Sequence, residues 1–86
     1  MFKIKLTDNA LNHIEYFKKN RDKIVLSRIF LLIEDIQKDP YIGLGKPEPL
    51  KYNLSGYWSR RINKEHRIVY SVLKDTVIII SIKGHY

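Results

Sequence analysis

The stretch "HRIVYSVLKDTVIIISIK", residues 66–83, sets two runs of β-branched and aromatic side chains on either side of Lys74-Asp75. Such runs favour extended backbone, and a short polar break between them is a hairpin signal. Strands are therefore predicted over 66–73 and 76–83. Val77, Ile78, Ile79 and Ile80 stand in succession, which predicts a central strand covered on both faces. Residues 57–63 supply a preceding strand that turns through Lys64-Glu65 into the hairpin. A three-residue loop at Asn63, Lys64 and Glu65 sets Arg61 opposite Arg67 and groups Ile62 with Ile68, Tyr70 and Val72. A slip of one residue would send those apolar side chains to opposite faces.

Towards the N-terminus, "FKIKL" at 2–6 alternates apolar and basic residues, the pattern of a half-buried strand. Thr7 or Asp8 can cap the helix that follows, with Leu11, Ile14 and Phe17 along one face and Asn20 at its end. A second helix is expected from about Asp22 to Lys38. Val25, Ile29, Leu32 and Ile36 recur at helical spacing, and Ile24, Leu26, Phe30, Leu31 and Ile33 widen the stripe. So broad a stripe predicts a helix packed on two sides, stopped by Pro40. From 40 to 49, two glycines and three prolines predict a loop without regular structure. The order β-α-α-β-β-β predicts one α+β domain over residues 1–86, a small antiparallel sheet with two N-terminal helices on one face.

A chain of 86 residues has room for one core. It contains no cysteine, which excludes disulfides and thiolate metal sites. No apolar run is long enough to span a bilayer and no cationic leader precedes one, so the expected location is the cytoplasm, with no membrane partner. The net charge is +7. Lys46, Lys51, Arg60, Arg61, Lys64 and Arg67 against Glu48 and Glu65 concentrate +4 of it in residues 46–67. Tyr52, Tyr57 and Trp58 are interleaved with these cations. Such a cluster suits a polyanion, whose counterions are released on binding, or is simply a solvated basic surface.

Three features could carry chemistry. Glu48 lies between Pro47 and Pro49; residues before proline are pushed towards extended backbone, so Lys46 and Glu48 should both be extended and the carboxylate stiffly aimed. That suits a general base, or equally a surface glutamate paired with Lys46 or Lys51. The chain ends in Lys83-Gly84-His85-Tyr86. The histidine can exchange a proton near neutral pH and the tyrosine can stack on a base; the alternative is a frayed tail. Arg61 and Arg67 face one another across a tight turn, as a phosphate clamp or as hairpin surface charges. Histidines 13, 66 and 85 lack metal-ligand spacing, and Gly43 with Gly45 does not make a phosphate-binding glycine motif. Asn53 to Gly56 reads as a turn.

Taken together, "GLGKPEPLKYNLSGYWSRRINKEHRIVY" and the terminal "HY" resemble the YoeB/Txe toxins of the RelE superfamily, from type II toxin–antitoxin systems. The likeness is dense from Pro40 to Tyr86. It is looser in the second helix and departs in the first, where Leu11, Asn12, His13 and Ile14 replace a run rich in Trp and Asp. Tyr52 stands in place of a usual histidine. The resemblance implies a RelE-like fold and an endoribonuclease that cuts mRNA in the ribosomal A site without metal or other cofactor. By that likeness Glu48 is the base on the 2′-hydroxyl and His85 the acid for the 5′-oxygen. Arg67 stabilises the charge on phosphorus, Lys51 and Arg61 bind phosphate, and Tyr86 holds substrate. The implied partners are a cognate antitoxin, the ribosome with its mRNA, and a second toxin copy. Two other classes remain open: a gyrase-type inhibitor of the same superfamily without catalysis, and a basic RNA-binding module.

Overall fold

The structure, a computed structural model, describes residues 1–84; the expectations for His85 and Tyr86 lie outside the described residues. Strand β1 (Lys3–Leu6) leads into α1 (Asp8–Lys19) and α2 (Lys23–Lys38), followed by β2 (Glu48–Pro49), a single 3₁₀ turn (Tyr52–Leu54), β3 (Tyr57–Arg61), β4 (Arg67–Leu73) and β5 (Thr76–Ser81). The five strands form one sheet in the order β1-β5-β4-β3-β2. The α+β class is as expected, but the sheet is mixed. β1 runs parallel to β5, with Ile4 beside Val77 and Leu6 beside Ile79; the other pairings are antiparallel. The crossover of two helices between β1 and the later strands makes a parallel edge attainable.

Local chemistry explains the helix ends. The Thr7 side chain accepts from the Ala10 N–H at 3.1 Å, and the Asp22 carboxylate accepts from the Val25 N–H at 3.2 Å. Each satisfies one of the N–H groups that a first helical turn leaves without a partner. Ala10, Ile14 and Phe17 of α1 and Val25, Ile29, Leu32 and Ile36 of α2 are buried against Ile68, Tyr70, Val77 and Ile79. Burying a side chain of this size contributes roughly 1.5–3 kcal/mol.

Two expectations about this packing are corrected. α2 is covered on one side only: Leu26 and Ile33 border the core, but Phe30 and Leu31 are exposed and Ile24 is 84% exposed. Its apolar stripe is wider than the one sheet face available to it. Likewise β5 is interior but not central, since β4 holds the middle position. Its side chains alternate, with Val77, Ile79 and Ser81 buried and Thr76, Ile78 and Ile80 half-buried. Both helices lie on one face, so the other face has no second layer to cover an apolar run.

The 40–49 segment departs furthest from expectation. Glu48 and Pro49 are a strand, paired with Ser59 and Trp58, which proline permits at a sheet edge. Lys46, expected to be extended ahead of Pro47, has φ +51°. The carbonyl of the preceding Gly45 is held by the Arg61 N–H at 2.7 Å, and the chain must turn within two residues to enter β2.

What anchors that loop is Arg60. Its side chain is fully buried, which removes it from the exposed cations of residues 46–67. The guanidinium donates to the Asp35 carboxylate of α2 and to the carbonyls of Asp39 at 2.6 Å, Ile42 at 3.1 Å and Leu44 at 3.1 Å. Its Nε donates to the Tyr70 hydroxyl, which donates in turn to the Pro40 carbonyl at 2.7 Å. Burial pushes the Tyr70 hydroxyl pKa up. Gly43 is required here, because a Cβ added to it would collide with Asp35 Oδ2. The loop is thus wrapped round one buried cation whose charge is met by a carboxylate and a ring of carbonyl dipoles.

Candidate active site

Residues opposite one another in a ladder point to the same side of a sheet. Register therefore sorts the charged residues. Arg60 pairs with Ile68 and Trp58 with Tyr70, and these face the helices. The other face carries Glu48 opposite Ser59 opposite Val69, then Arg61 opposite Arg67, and Tyr57 opposite Ser71. The three-residue loop predicted for this hairpin gives the expected pairing of the two arginines. The Asn63 carbonyl of the side chain tightens the turn by accepting from the N–H groups of Glu65 and His66.

The helix-free face thus holds one carboxylate and two guanidiniums in neighbouring rows. Rows on the same face are about 6.6 Å apart along a strand and strands about 4.8 Å apart. Glu48 and Arg61 Cα atoms are then about 8 Å apart, and Arg67 lies one strand further on. Side chains of this length can converge on a group the size of a phosphate between them. Glu48 and Arg61 are exposed and Arg67 is half-buried. Among the described residues Glu48 forms no ion pair, so the expected alternative of a lysine-paired surface glutamate is absent there. Between them Ser59 is fully buried, its Oγ without a hydrogen-bond partner among the described residues.

Lys51 is not brought to the arginine pair. The Leu50 N–H donates to the Tyr57 carbonyl, so the chain leaves β2 at the Tyr57 end and Lys51 opens the 3₁₀ turn there, on the other flank of Glu48. Tyr52 follows it at 90% exposed. Cations therefore flank the carboxylate on both sides.

The chain end is tied to the same face. After β5 the Gly84 carbonyl accepts from the Arg67 N–H at 2.9 Å, continuing the ladder along β4. The Gly84 N–H donates to Nδ1 of His66 at 3.0 Å, and Nδ1 of His13 accepts from the N–H groups of Ile82 and Lys83 at 3.0 and 3.1 Å. Burial first, then the nearby Lys83 and His66, hold the His13 pKa below the usual imidazole value. The sequence alone gives His13 and His66 no role. Nothing in their spacing signals one, because the partners are backbone groups some 70 and 18 residues away.

This fold, with a cationic face centred on one carboxylate, defines the class. A family model described as the YoeB-like toxin of bacterial type II toxin–antitoxin systems matches residues 6–86, and the chain belongs to that family. The Toxin YoeB of Synechocystis sp. is 54% identical over 84 residues, 98% of this chain and 96% of that protein. Among solved structures, the YoeB dimer from Staphylococcus aureus superposes with a TM-score of 0.88 at 43% identity, covering 99% of this chain and 98% of that one. The toxin in the heterotetrameric YoeB–YefM toxin–antitoxin complex of the same organism gives 0.86 at 42% identity, covering 100% and 99%. Among the described residues no helix is long and apolar enough to cross a membrane.

Proposed function

We propose that this toxin is a ribosome-dependent endoribonuclease that cleaves mRNA within the A-site codon and so stops translation. The observation that carries the reading is the helix-free sheet face, where Glu48, Arg61 and Arg67 share adjoining rows and Arg67 also tethers Gly84, the residue before His85-Tyr86.

In this reaction the 2′-hydroxyl of the codon attacks the adjacent phosphorus while Glu48 accepts its proton. Arg67, with Arg61, meets the negative charge that builds on the non-bridging oxygens. The bond from phosphorus to the 5′-oxygen breaks, and His85 delivers a proton to that oxygen. The products are a 2′,3′-cyclic phosphate and a 5′-hydroxyl. Side chains supply both proton transfers and the charge stabilisation, so no step is routed through a metal. A carboxylate is a weak base for a hydroxyl, and Glu48 contributes through aim. Its strand pairing to Ser59 and the flanking prolines limit the backbone freedom behind that aim. Lys51 on the opposite flank binds a neighbouring phosphate, and Tyr86 holds the substrate.

The partners follow from the same reading. A cognate antitoxin covers the cationic face, as a partner of opposite charge would, and the toxin pairs with a second copy; relatives are seen as a YoeB–YefM heterotetramer and as a YoeB dimer. The cell compartment is the cytoplasm, where the ribosome is.

The test is a purified translation system with primer extension to map ends. Cuts inside A-site codons with cyclic phosphate termini are expected from the wild type. Glu48→Gln and His85→Ala should bind ribosomes normally and cleave about 10²–10⁴-fold more slowly. Intact mRNA would reject the reading; gyrase inhibition in its place would favour the non-catalytic class, and salt-dependent RNA binding alone a basic binding module.

A further inference from the structure

Three consecutive backbone N–H groups, those of Ile82, Lys83 and Gly84, end on two imidazole nitrogens. The rings come from distant parts of the fold, His13 from the middle of α1 and His66 from the turn before β4. A backbone N–H can only donate, so each Nδ1 must present a lone pair; both rings are then neutral with the proton on Nε2. Their surroundings hold them in place. Phe17 packs edge-on against His66 with ring centres 5.1 Å apart, and Nζ of Lys83 sits 4.0 Å above the Tyr16 ring. Ile82 is fully buried, so its N–H has no water to turn to if the imidazole is lost.

We propose that His13 and His66 are positioning residues that clasp the Ile82–Gly84 backbone as neutral hydrogen-bond acceptors, and thereby set where the chain delivers its last two residues. The inference rests on the catalytic reading of His85 and Tyr86 given above. Protonating either ring converts its acceptor into a donor aimed at a donor, which opens the clasp. The groups facing the rings do not act alike. Lys83 and His66 stand near His13 and oppose a charge on it. At His66, Glu65 Oε2 lies 3.9 Å from Nε2 and Phe17 packs edge-on against the ring. On α1, Tyr16 is occupied by Lys83, and Glu15 is paired with Lys18 at 3.5 Å. Beyond Gly84 the sequence continues with His85, the next titratable imidazole.

The test uses the full-length toxin. Hydrogen exchange at the amides of Ile82, Lys83 and Gly84 is measured between pH 8 and 5 and expressed as protection factors, with Ile29 and Leu32 of α2 as references. Nitrogen-15 spectra report the tautomer of each ring. Single-turnover cleavage and ribosome affinity are followed over the same range. In the wild type, protection of the Ile82 and Lys83 amides should fall about tenfold or more as His13 protonates while the α2 references stay protected. His13→Leu should lose protection at Ile82 and Lys83, and His66→Leu at Gly84, at every pH, and both should slow cleavage with ribosome affinity unchanged. His13→Asn, whose amide oxygen accepts without titrating, should keep Ile82 and Lys83 protected at low pH and move the acid limb of the rate profile. Equal protection in wild type and Leu variants, or a proton on either Nδ1 at pH 8, overturns the proposal. Should the Leu variants fail to fold, the tautomer and the Asn variant decide it. A wild type that cuts no mRNA but shows the neutral tautomers and the titrating protection rejects only the nuclease reading.

Discussion

Replacing Asp35 by Asn keeps the shape of the carboxylate and removes its charge, leaving the fully buried Arg60 guanidinium without a counter-ion. Breaking a buried ion pair from one side costs roughly 3–5 kcal/mol. Two features reduce that here. The Asp35 side chain is 27% exposed, so water already screens part of the attraction, and the carbonyls of Asp39, Ile42 and Leu44 continue to accept from the guanidinium. About 2 kcal/mol is expected. A domain of this size has only about 4–13 kcal/mol in all, so the loss is large enough to measure without unfolding the protein. In urea, with a slope near 1 kcal/mol per molar, the midpoint should fall by about 2 M. The same variant should raise hydrogen exchange at the Leu44 and Arg61 amides, which report the loop contacts to Asp35 and to Gly45, more than at Ile29 in α2. A midpoint within about 0.5 M of the wild type, with those two amides unchanged, would refute the idea that this buried pair mounts the loop carrying Glu48.

Gly43→Ala should destabilise by more than about 2 kcal/mol, since the new Cβ meets Asp35 Oδ2 and the backbone stands at φ +131°. Gly56→Ala, at positive φ in open space, should cost less, and the two urea midpoints compare them directly. On α2, Ile29→Ala should cost about 2–5 kcal/mol as a core truncation. Ile24→Lys, on the uncovered side of the same helix, should stay within about 0.5 kcal/mol; equal losses would mean that α2 is covered on both sides in solution. Stability should decline in two stages on acidification, followed by melting temperature from pH 8 to 3. His13 protonates at lower pH when folded than unfolded, so its contribution is complete above about pH 6.5 and is lost as pH falls through the folded value. The Leu44 N–H first, then Arg60, hold the Asp35 carboxyl below its ordinary value. Its contribution is complete above about pH 3.9 and disappears further down. In His13→Asn the upper stage should be weaker; an identical profile would contradict the assignment.

Periodicity and composition determined by themselves the two helices, the β4–β5 hairpin and the pairing of Arg61 with Arg67, because each depends on short-range spacing and on keeping apolar residues together; the choice of Thr7 over Asp8 as cap, and Asp22 as the second cap, came from the structure. The family likeness lay in the K-P-E-P, S-R-R and E-H-R elements in the same way. Distant contacts decided the rest. Whether a strand pairs parallel to its neighbour depends on where the crossover returns, so β1 against β5 could not be read locally. Glu48 and Pro49 become a strand only because Ser59 and Trp58 offer an open sheet edge. Arg60 and Arg61 are adjacent, identical in type and alike in local sequence, yet one is sealed under a loop and the other stands on the candidate active face. The alternation of a strand sends them to opposite sides, and only the helices, by lying on one side, decide which arginine holds the fold together and which is left on the exposed sheet face. His13 and His66 belong to the same lesson. A lone pair that accepts backbone N–H groups leaves no periodic mark, and its partners exist only once the chain has closed.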